Sequence, residues 1–216
     1  MTLRTPTVED AGAIADLCNA LTRDLYGEAD ANEQTVTEWF GLPDLGMFLV
    51  ERDGRVAGYL DVRCDDEGRR FPVDLRIHPD ARGSGVADEL LEAAEEWERE
   101  RAEPGGLSRG FVAERDGEAR GAYERRGYGL IRHSFFMEID LPEQPEPPEW
   151  PSGIAVRTFD RERDEQAVFE CNQESFADHW DFSPIPIERW RTFAFGDRHD
   201  PSLWWLAEDG GEVAAA

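Results

Sequence analysis

The order of hydrophobic and polar positions predicts alternating helices and strands over the first two thirds of the chain. Apolar residues three and four apart predict helices, whereas short apolar runs between turn residues predict strands. After a first strand at Leu3-Arg4-Thr5, we expect helices over residues 10–26, 33–40, 86–101 and 118–126, and strands over residues 47–50, 56–62, 73–77, 110–113 and 131–139. The order β-α-α-β-β-β-α-β-α-β predicts an α/β fold with a mixed sheet.

A proline-rich segment then interrupts the pattern. Residues 141–151 contain five prolines, which exclude a helix or a central strand and favour an extended spacer. We therefore expect a domain over residues 1–140, a linker over 141–152 and a second unit over 153–216.

The second unit repeats the beginning of the first. Four short matches follow one another in the same order with nearly constant offset, which indicates a tandem duplication: Leu3-Arg4-Thr5 with Val156-Arg157-Thr158, Cys18-Asn19 with Cys171-Asn172, Trp39 with Trp190, and residues 49–57 with 206–214. On this alignment Ala216 falls near the position of Tyr59. We therefore expect a truncated second copy that lacks the equivalent of residues 60–140.

Charge and composition exclude several classes of function. The net charge is −25 with no lysine, and an acidic surface of this kind disfavours nucleic acid and anionic membranes. No apolar run is long enough to span a bilayer, and the start of the chain lacks a signal peptide. Three scattered cysteines predict neither a disulfide framework nor a metal site. We therefore expect a cytoplasmic protein. The sequence does not decide between a monomer and a homodimer.

A glycine-rich turn between a strand and a helix is the first candidate for chemistry. It reads Arg82-Gly83-Ser84-Gly85-Val86-Ala87. At a helix start the backbone N–H groups lack internal acceptors and the helix dipole is positive, so the turn is suited to a diphosphate. A P-loop would require a lysine, and a dinucleotide fingerprint would require a third glycine, so both are disfavoured. A plain loop with two glycines remains the alternative for this turn alone.

A second motif lies at the end of the last predicted helix and reads Tyr123-Glu124-Arg125-Arg126-Gly127-Tyr128. Together the two motifs resemble those of the GNAT acetyltransferase superfamily, and the resemblance covers residues 1–140. It implies a GNAT fold, with a mixed, mostly antiparallel central sheet and flanking helices, followed by a partial second GNAT-like unit. Residues 176–190 are similar to tandem GNAT proteins of the mycothiol-synthase-like group.

The resemblance also implies a set of roles. The backbone amides of Arg82, Gly83, Ser84, Gly85, Val86 and Ala87 would hold the pyrophosphate of acetyl-CoA, and the strand at Leu75 and Ile77 would pair with the pantetheine arm. Tyr123 stands where many members keep a general acid. Where the family often has a cofactor-contacting asparagine, this chain has Asp116, whose negative charge is unfavourable beside phosphates.

The general base is less evident from the sequence. We take the cleft-facing positions of residues 71–77 to be those in phase with Ile77, which are all apolar. Asp74 lies in the other phase and would need a bulge to turn inward; otherwise it is a solvated edge residue. The alternatives are Asp65, Asp66, Glu67, His78 and a water relay.

The expected function is transfer of an acetyl group from acetyl-CoA to a primary amine of a small molecule or peptide, by direct attack in a ternary complex. Tyr123 is the expected acid and Asp74 the candidate base. The alternative is a catalytically degenerate, acyl-CoA-binding or structural module of a tandem protein.

Overall fold

The computed structural model describes residues 2–29, 31–141, 143, 145–180, 182–195 and 200–216. These residues group into two compact units, Met1–Ser134 and Phe135–Ala216. Each unit is described by itself. Within the described ranges, no helix is both long and apolar enough to cross a bilayer.

Unit 1 is built on a five-stranded sheet of order β1-β2-β3-β4-β5. Its strands are β1 (Thr2–Arg4), β2 (Leu45–Arg52), β3 (Arg55–Arg63), β4 (Arg70–Ile77) and β5 (Leu107–Gly110). Neighbouring strands are antiparallel except β4 and β5, which are parallel. The mixed, mostly antiparallel sheet predicted from the sequence is therefore confirmed.

Helices cover both faces of this sheet. They are α1 (Ala11–Tyr26), α2 (Glu33–Trp39), α3 (Val86–Arg99) and α4 (Gly117–Arg125). One core contains residues of α1 and α2 with Leu49 and Tyr59 of the sheet. The other contains residues of α3 and α4 with the alternate positions of β3 and β4. Because side chains alternate along a strand, every second residue of β4 from Phe71 to Ile77 lies in this second core, and the residues between them face the other side.

A glycine in β3 brings α3 close to the sheet. A Cβ atom added at Gly58 would lie 2.5 Å from Cγ1 of Val86 and 2.8 Å from Cδ1 of Leu90. The missing side chain lets the first turns of α3 pack directly on β3. The position of the helix N-terminus relative to the sheet therefore depends on this contact.

The predicted order of the first nine elements of unit 1 is confirmed, but two strand predictions are wrong. The strand expected over 110–113 ends at Gly110, because β5 pairs with β4 through Leu107–Gly110. Residues 131–139 form no strand, and Phe136 is 98% exposed. Their alternating pattern suits a strand, but none of the strand pairings found among the described residues includes this segment.

Unit 2 contains a three-stranded antiparallel sheet of order β6-β7-β8. Its elements are β6 (Ile154–Thr158), α5 (Arg161–Ser175), α6 (Ile187–Ala194), β7 (Trp205–Asp209) and β8 (Glu212–Ala215). Phe159, Val168, Trp190 and Leu206 form its buried core. Pro142 and Gln144 of the predicted linker lie outside the described residues, and residues 145–150 form neither helix nor strand.

The first arginine of each sheet makes the same pair of contacts. In unit 1, Arg4 lies opposite Leu49, and its guanidinium donates to Asp10 at 2.8 Å and to Glu51 at 3.0 Å. In unit 2, Arg157 lies opposite Leu206 and donates to Asp164 at 2.6 Å and to Glu208 at 2.9 Å. Both arginines thus link their strand to the following helix region and to the neighbouring strand.

Candidate active site

The sheet of unit 1 opens between β4 and β5. The two strands pair only from Arg70 with Leu107 to Val73 with Gly110, although β4 continues to Ile77. The chain leaves the sheet at Phe111, which is 70% exposed. Among the described strands, none lies beside the last four residues of β4 on this side. We call this opening the fork.

The backbone groups of Leu75 and Ile77 point into the fork. On the other side of β4, the His78 N–H donates to the Ala57 carbonyl at 2.9 Å. Because hydrogen-bonded pairs alternate along an antiparallel ladder, residues 74 and 76 also turn their backbone groups toward β3. Residues 75 and 77 therefore turn theirs away. On the β5 side, Leu107 N–H donates to the Arg69 carbonyl at 2.9 Å. This bond also shows that the odd-numbered residues of this segment turn their backbone groups toward β5.

The glycine turn lies between the end of β4 and the start of α3. Gly83 and Gly85 have φ angles of +70° and +83°, and a Cβ atom at either position would meet nothing within 4 Å. The α-helical bonding begins only with Glu89 N–H donating to the Gly85 carbonyl at 3.1 Å. Val86 and Ala87 bury their side chains completely, while first-turn amides have no acceptor inside the helix. An anion therefore meets open space and oriented N–H groups here.

Two side chains of the turn are already engaged. Arg82 forms an ion pair with Asp24 of α1, with a separation of 2.6 Å between Nη2 and Oδ2. The Ser84 hydroxyl donates a short hydrogen bond to the Ala81 carbonyl. The attraction for an anion therefore comes chiefly from the backbone amides, with the charge of Arg82 offset by its partner.

Tyr123 of α4 lies under the last residue of β5. A Cβ atom at Gly110 would be 2.2 Å from Cζ of Tyr123 and 2.6 Å from its hydroxyl oxygen. The hydroxyl is buried and has no hydrogen-bond partner among the described residues. Burial, followed by the charge of Asp74, raises the pKa of Tyr123 above its usual value, so the phenol stays protonated at neutral pH.

The end of α4 holds this tyrosine in place. Gly127 has a φ angle of +87°, and Tyr128 N–H donates to the Tyr123 carbonyl at 3.1 Å, as in a Schellman cap. The two tyrosine rings lie edge to face with centroids 4.9 Å apart. Tyr128 in turn shares a 2.7 Å hydrogen bond with Ser108. The second motif therefore fixes the position of its own first residue.

A cleft of about 350 Å³ lies on the opposite face of β3 and β4. Its lining combines aromatic, apolar and charged side chains: Trp39, Leu42, Leu45, Asp61, Arg63, Pro72, Val73, Asp74, Arg76 and Phe111. Asp61 and Asp74 are directly opposite in the β3–β4 ladder. Arg76 donates a short hydrogen bond to Asp74, and its Nη1 lies 3.8 Å from Oδ2 of Asp61. Its guanidinium also stacks on Trp39, 5.0 Å from the ring centroid.

The two aspartates differ in their surroundings. The side chain of Asp61 is 22% exposed, whereas that of Asp74 is 47% exposed. Burial and the neighbouring charge of Asp74 raise the pKa of Asp61 to about 7, and Arg76 opposes this shift only in part. The cleft thus holds a carboxyl group that changes its protonation near neutral pH.

Known proteins resemble the chain in sequence and structure. The profile of the acetyltransferase (GNAT) family matches residues 14–128. The chain belongs to the GNAT acetyltransferase family. A GCN5-related N-acetyltransferase from Sphaerobacter thermophilus superposes with a TM-score of 0.79 at 31% identity, over 98% of this chain and 69% of that one.

Several curated relatives are named mycothiol acetyltransferase. The protein from Actinosynnema mirum is 32% identical over 76% of this chain and 54% of its own length. The protein from Thermobispora bispora is 30% identical over 99% of this chain and 70% of its own length. The chain thus spans about half to 70% of these relatives. GNAT acetyltransferases are acyltransferases that use acetyl-CoA, and the open glycine turn and the fork suit that co-substrate.

Asp74 lines a cleft without the bulge that we expected it to need. The side chains in phase with Ile77 are buried in the core under α3 and α4, and of these positions only Val73 also borders the cleft. Asp74 lines the cleft on the other face, and the β3–β4 pairing is regular from Gly58–Ile77 to Val62–Val73, so no bulge is involved. The error came from assigning the cleft to the wrong face of the strand.

Asp116 has a structural contact that the sequence analysis did not predict. Its carboxylate caps α4 by accepting from Ala119 N–H at 3.1 Å, and the residue is 3% exposed. The other base candidates, Asp65, Asp66, Glu67 and His78, do not line the cleft. Asp65 accepts from Arg63, and Nδ1 of His78 accepts from Asp80 N–H at 3.2 Å.

Sequence reasoning missed Asp61 and Arg76 as cleft residues. Both lie on predicted strands, and a charged residue within a strand is a weak signal by itself. The signal that could have found them is the period of two, because Asp61 shares a phase with Tyr59 and Arg63, and Asp74 shares one with Arg76. Matching the two strands across the turn would have placed the charges side by side.

Proposed function

We propose that unit 1 transfers the acetyl group of acetyl-CoA to a primary amine by direct attack in a ternary complex. The observation that supports this most strongly is the fork. It joins a row of free backbone groups at Leu75 and Ile77, an anion-binding turn at one end and a carboxylate-lined cleft at the other. Acetyl-CoA supplies a thioester whose sulfur leaves as a thiolate.

Each part of the proposed reaction is assigned to residues at a defined place in the site. The Arg82 and Ser84 amides donate to the Pro79 and Ala81 carbonyls, so the pyrophosphate falls to the amides of Gly83, Gly85, Val86 and Ala87. Leu75 and Ile77 pair with the pantetheine arm as an added strand would. Tyr123 donates a proton or hydrogen bond to the leaving sulfur. A carboxylate of the cleft, Asp61 or Asp74, accepts the proton of the attacking ammonium.

The acceptor is an amine that enters the cleft as a cation. Asp61 and Asp74 offer carboxylate oxygens to an ammonium group, while Arg63 and Arg76 bring the formal charge of the lining to zero. The names of the relatives make a mycothiol-related amine the first acceptor to test. A degenerate module is not favoured, because the turn, the fork, Tyr123 and the carboxylates are all present.

Binding and turnover test the proposal separately. Calorimetry should detect acetyl-CoA binding in the micromolar range, and a panel of amines should yield an acetylated product by mass spectrometry. The chain has no lysine, so acetylation of its own side chains contributes little background. A folded protein that does not bind acetyl-CoA would refute the proposal.

The variant Tyr123→Phe tests the acid. Turnover should fall by about 10²-fold or more, while affinity for acetyl-CoA stays within twofold, because only the hydroxyl is removed. Tyr128→Phe is a matched control that removes a neighbouring hydroxyl bonded to Ser108. Unchanged turnover in Tyr123→Phe would show that this residue is not the acid.

We infer that unit 2 is the opening part of a second GNAT-like domain. Its order β-α-α-β-β repeats that of the first five main elements of unit 1, with the same antiparallel neighbours. The matching contacts of Arg4 and Arg157 support this inference. If it holds, Arg157→Ala should loosen β6 as Arg4→Ala loosens β1, with hydrogen exchange of each strand as the measurement.

A further inference from the structure

We propose that Asp61, on β3, is the group that accepts the proton of the attacking amine, and that Asp74 and Arg76 act as its positioning pair. This inference rests on the proposed acetyl transfer. It differs from the sequence-based expectation, which placed the base at Asp74.

Hydrogen bonding distinguishes the two aspartates. Asp74 accepts a short hydrogen bond from Arg76, so its negative charge has a direct partner. Asp61 has the same guanidinium only at 3.8 Å. A base must offer a lone pair to the substrate, and a carboxylate held by a guanidinium offers it less readily. Asp61 is therefore the aspartate that the Arg76 guanidinium engages less closely.

Asp61 lies one strand away from the β4 edge that borders the fork, at nearly the same level along the strands. Asp61 and Asp74 form one rung of the β3–β4 ladder, and the next rung, Val62 with Val73, is level with Gly110 of β5. One rung is roughly 3.4 Å along the strand. Tyr123 lies against that same Gly110 from the other face. Asp61 and Tyr123 therefore lie at nearly the same level along the strands and on opposite faces of the sheet, with β4 between β3 and β5.

The ionisable groups around Asp61 set its pKa, and this pKa suits a base. The ionisable groups that face it are Tyr59 and Arg63 on its own strand, Asp74 and Arg76 on β4, Cys18 on α1 and Tyr123 on α4. Burial and the charge of Asp74 bring the pKa of Asp61 to about 7. A base with a pKa near the working pH combines a large ionised fraction with good proton affinity.

The test is the pH dependence of kcat/KM for Asp61→Asn and Asp74→Asn, measured with the amine that the panel identifies. In the wild type, kcat/KM should fall about tenfold per pH unit below pH 7, because the acidic limb reports the base of the free enzyme. In Asp61→Asn, kcat/KM at pH 8 should be lower by about 100-fold or more, and the acidic limb should be absent. In Asp74→Asn, kcat/KM should fall by about tenfold at most. The acidic limb should move to lower pH, because Asp61 no longer has a like charge beside it and Arg76 is released from Asp74.

Controls keep the outcomes distinct. Asp53→Asn removes a carboxylate that is 95% exposed in the β2–β3 turn and should leave the profile unchanged. Acetyl-CoA affinity within twofold of wild type shows that each variant is folded. If the wild type binds acetyl-CoA but acetylates no amine, the proposed function fails and this inference fails with it. If the wild type is active and Asp61→Asn keeps both its rate and its acidic limb, only this inference fails.

Discussion

Replacing Glu98 by glutamine should change how the stability of unit 1 depends on pH. Glu98 of α3 is 8% exposed and accepts a 3.0 Å hydrogen bond from Ser108. Burial raises its pKa from 4.5 to about 7 in the folded protein. The folded state therefore binds the proton more tightly than the unfolded state. The resulting stabilisation is complete below pH 4.5 and is lost as pH rises through about 7.

The size of the effect follows from the shift. A rise of the Glu98 pKa from 4.5 to about 7 corresponds to ~3 kcal/mol of unfolding free energy between pH 4.5 and pH 8. Glutamine keeps the shape and a hydrogen-bond acceptor but does not titrate. The free energy of Glu98→Gln relative to wild type should therefore improve by ~3 kcal/mol across that range. The pH dependence that Asp61 contributes is common to both proteins and cancels in this difference.

The measurement is urea unfolding at half-unit steps of pH. Hydrogen exchange of peptides from α3 serves as the readout, so that the difference is measured in unit 1 alone. Glu96→Gln is the matched control, because it removes one negative charge from the exposed face of the same helix. Stability curves for wild type and Glu98→Gln that run parallel from pH 4.5 to 8 would refute the assignment of a protonated, buried Glu98.

Three glycine substitutions test the packing around the site. Gly110→Ala should reduce turnover more than tenfold with acetyl-CoA binding retained in calorimetry, because the methyl group would displace Tyr123; full activity would contradict the close contact. Gly58→Ala should lower stability by ~1–3 kcal/mol in thermal denaturation by pushing Val86 away, and an unchanged Tm would count against it. Gly85→Ala, at φ +83°, should cost ~1 kcal/mol and weaken acetyl-CoA binding at least tenfold; unaltered affinity would argue against the turn as the phosphate site.

Features that depend on local sequence were predictable. The helix spacing, the glycine turn before α3 and the Gly127 cap after α4 each follow from a few adjacent residues. The first nine elements of unit 1 were predicted in the correct order for this reason. The same logic located Tyr123, since its position is determined by a local cap and a motif.

Features that depend on tertiary contacts were not predictable from pattern alone. The alternation in β4 separates Asp74 from Leu75, but it does not say which face lies under α3 and which forms the cleft. The neighbours Asp61 and Asp74 meet only through the β3–β4 register. Residues 131–139 show the converse: a strand pattern is not sufficient, because a strand also needs a hydrogen-bonded partner.

The fork explains how groups from opposite faces of one sheet can serve one reaction. A continuous sheet separates the side chains of its two faces by the backbone itself, so Asp61 and Tyr123 could not approach a common atom across it. Because β5 ends at Gly110 while β4 continues, a molecule lying in the plane of the sheet is open to both sides. On the proposed mechanism, an amine would enter from the carboxylate face, and the leaving sulfur would meet the phenol from the other. Lengthening β5 by one pair along β4 should therefore abolish transfer even with every side chain of the site intact.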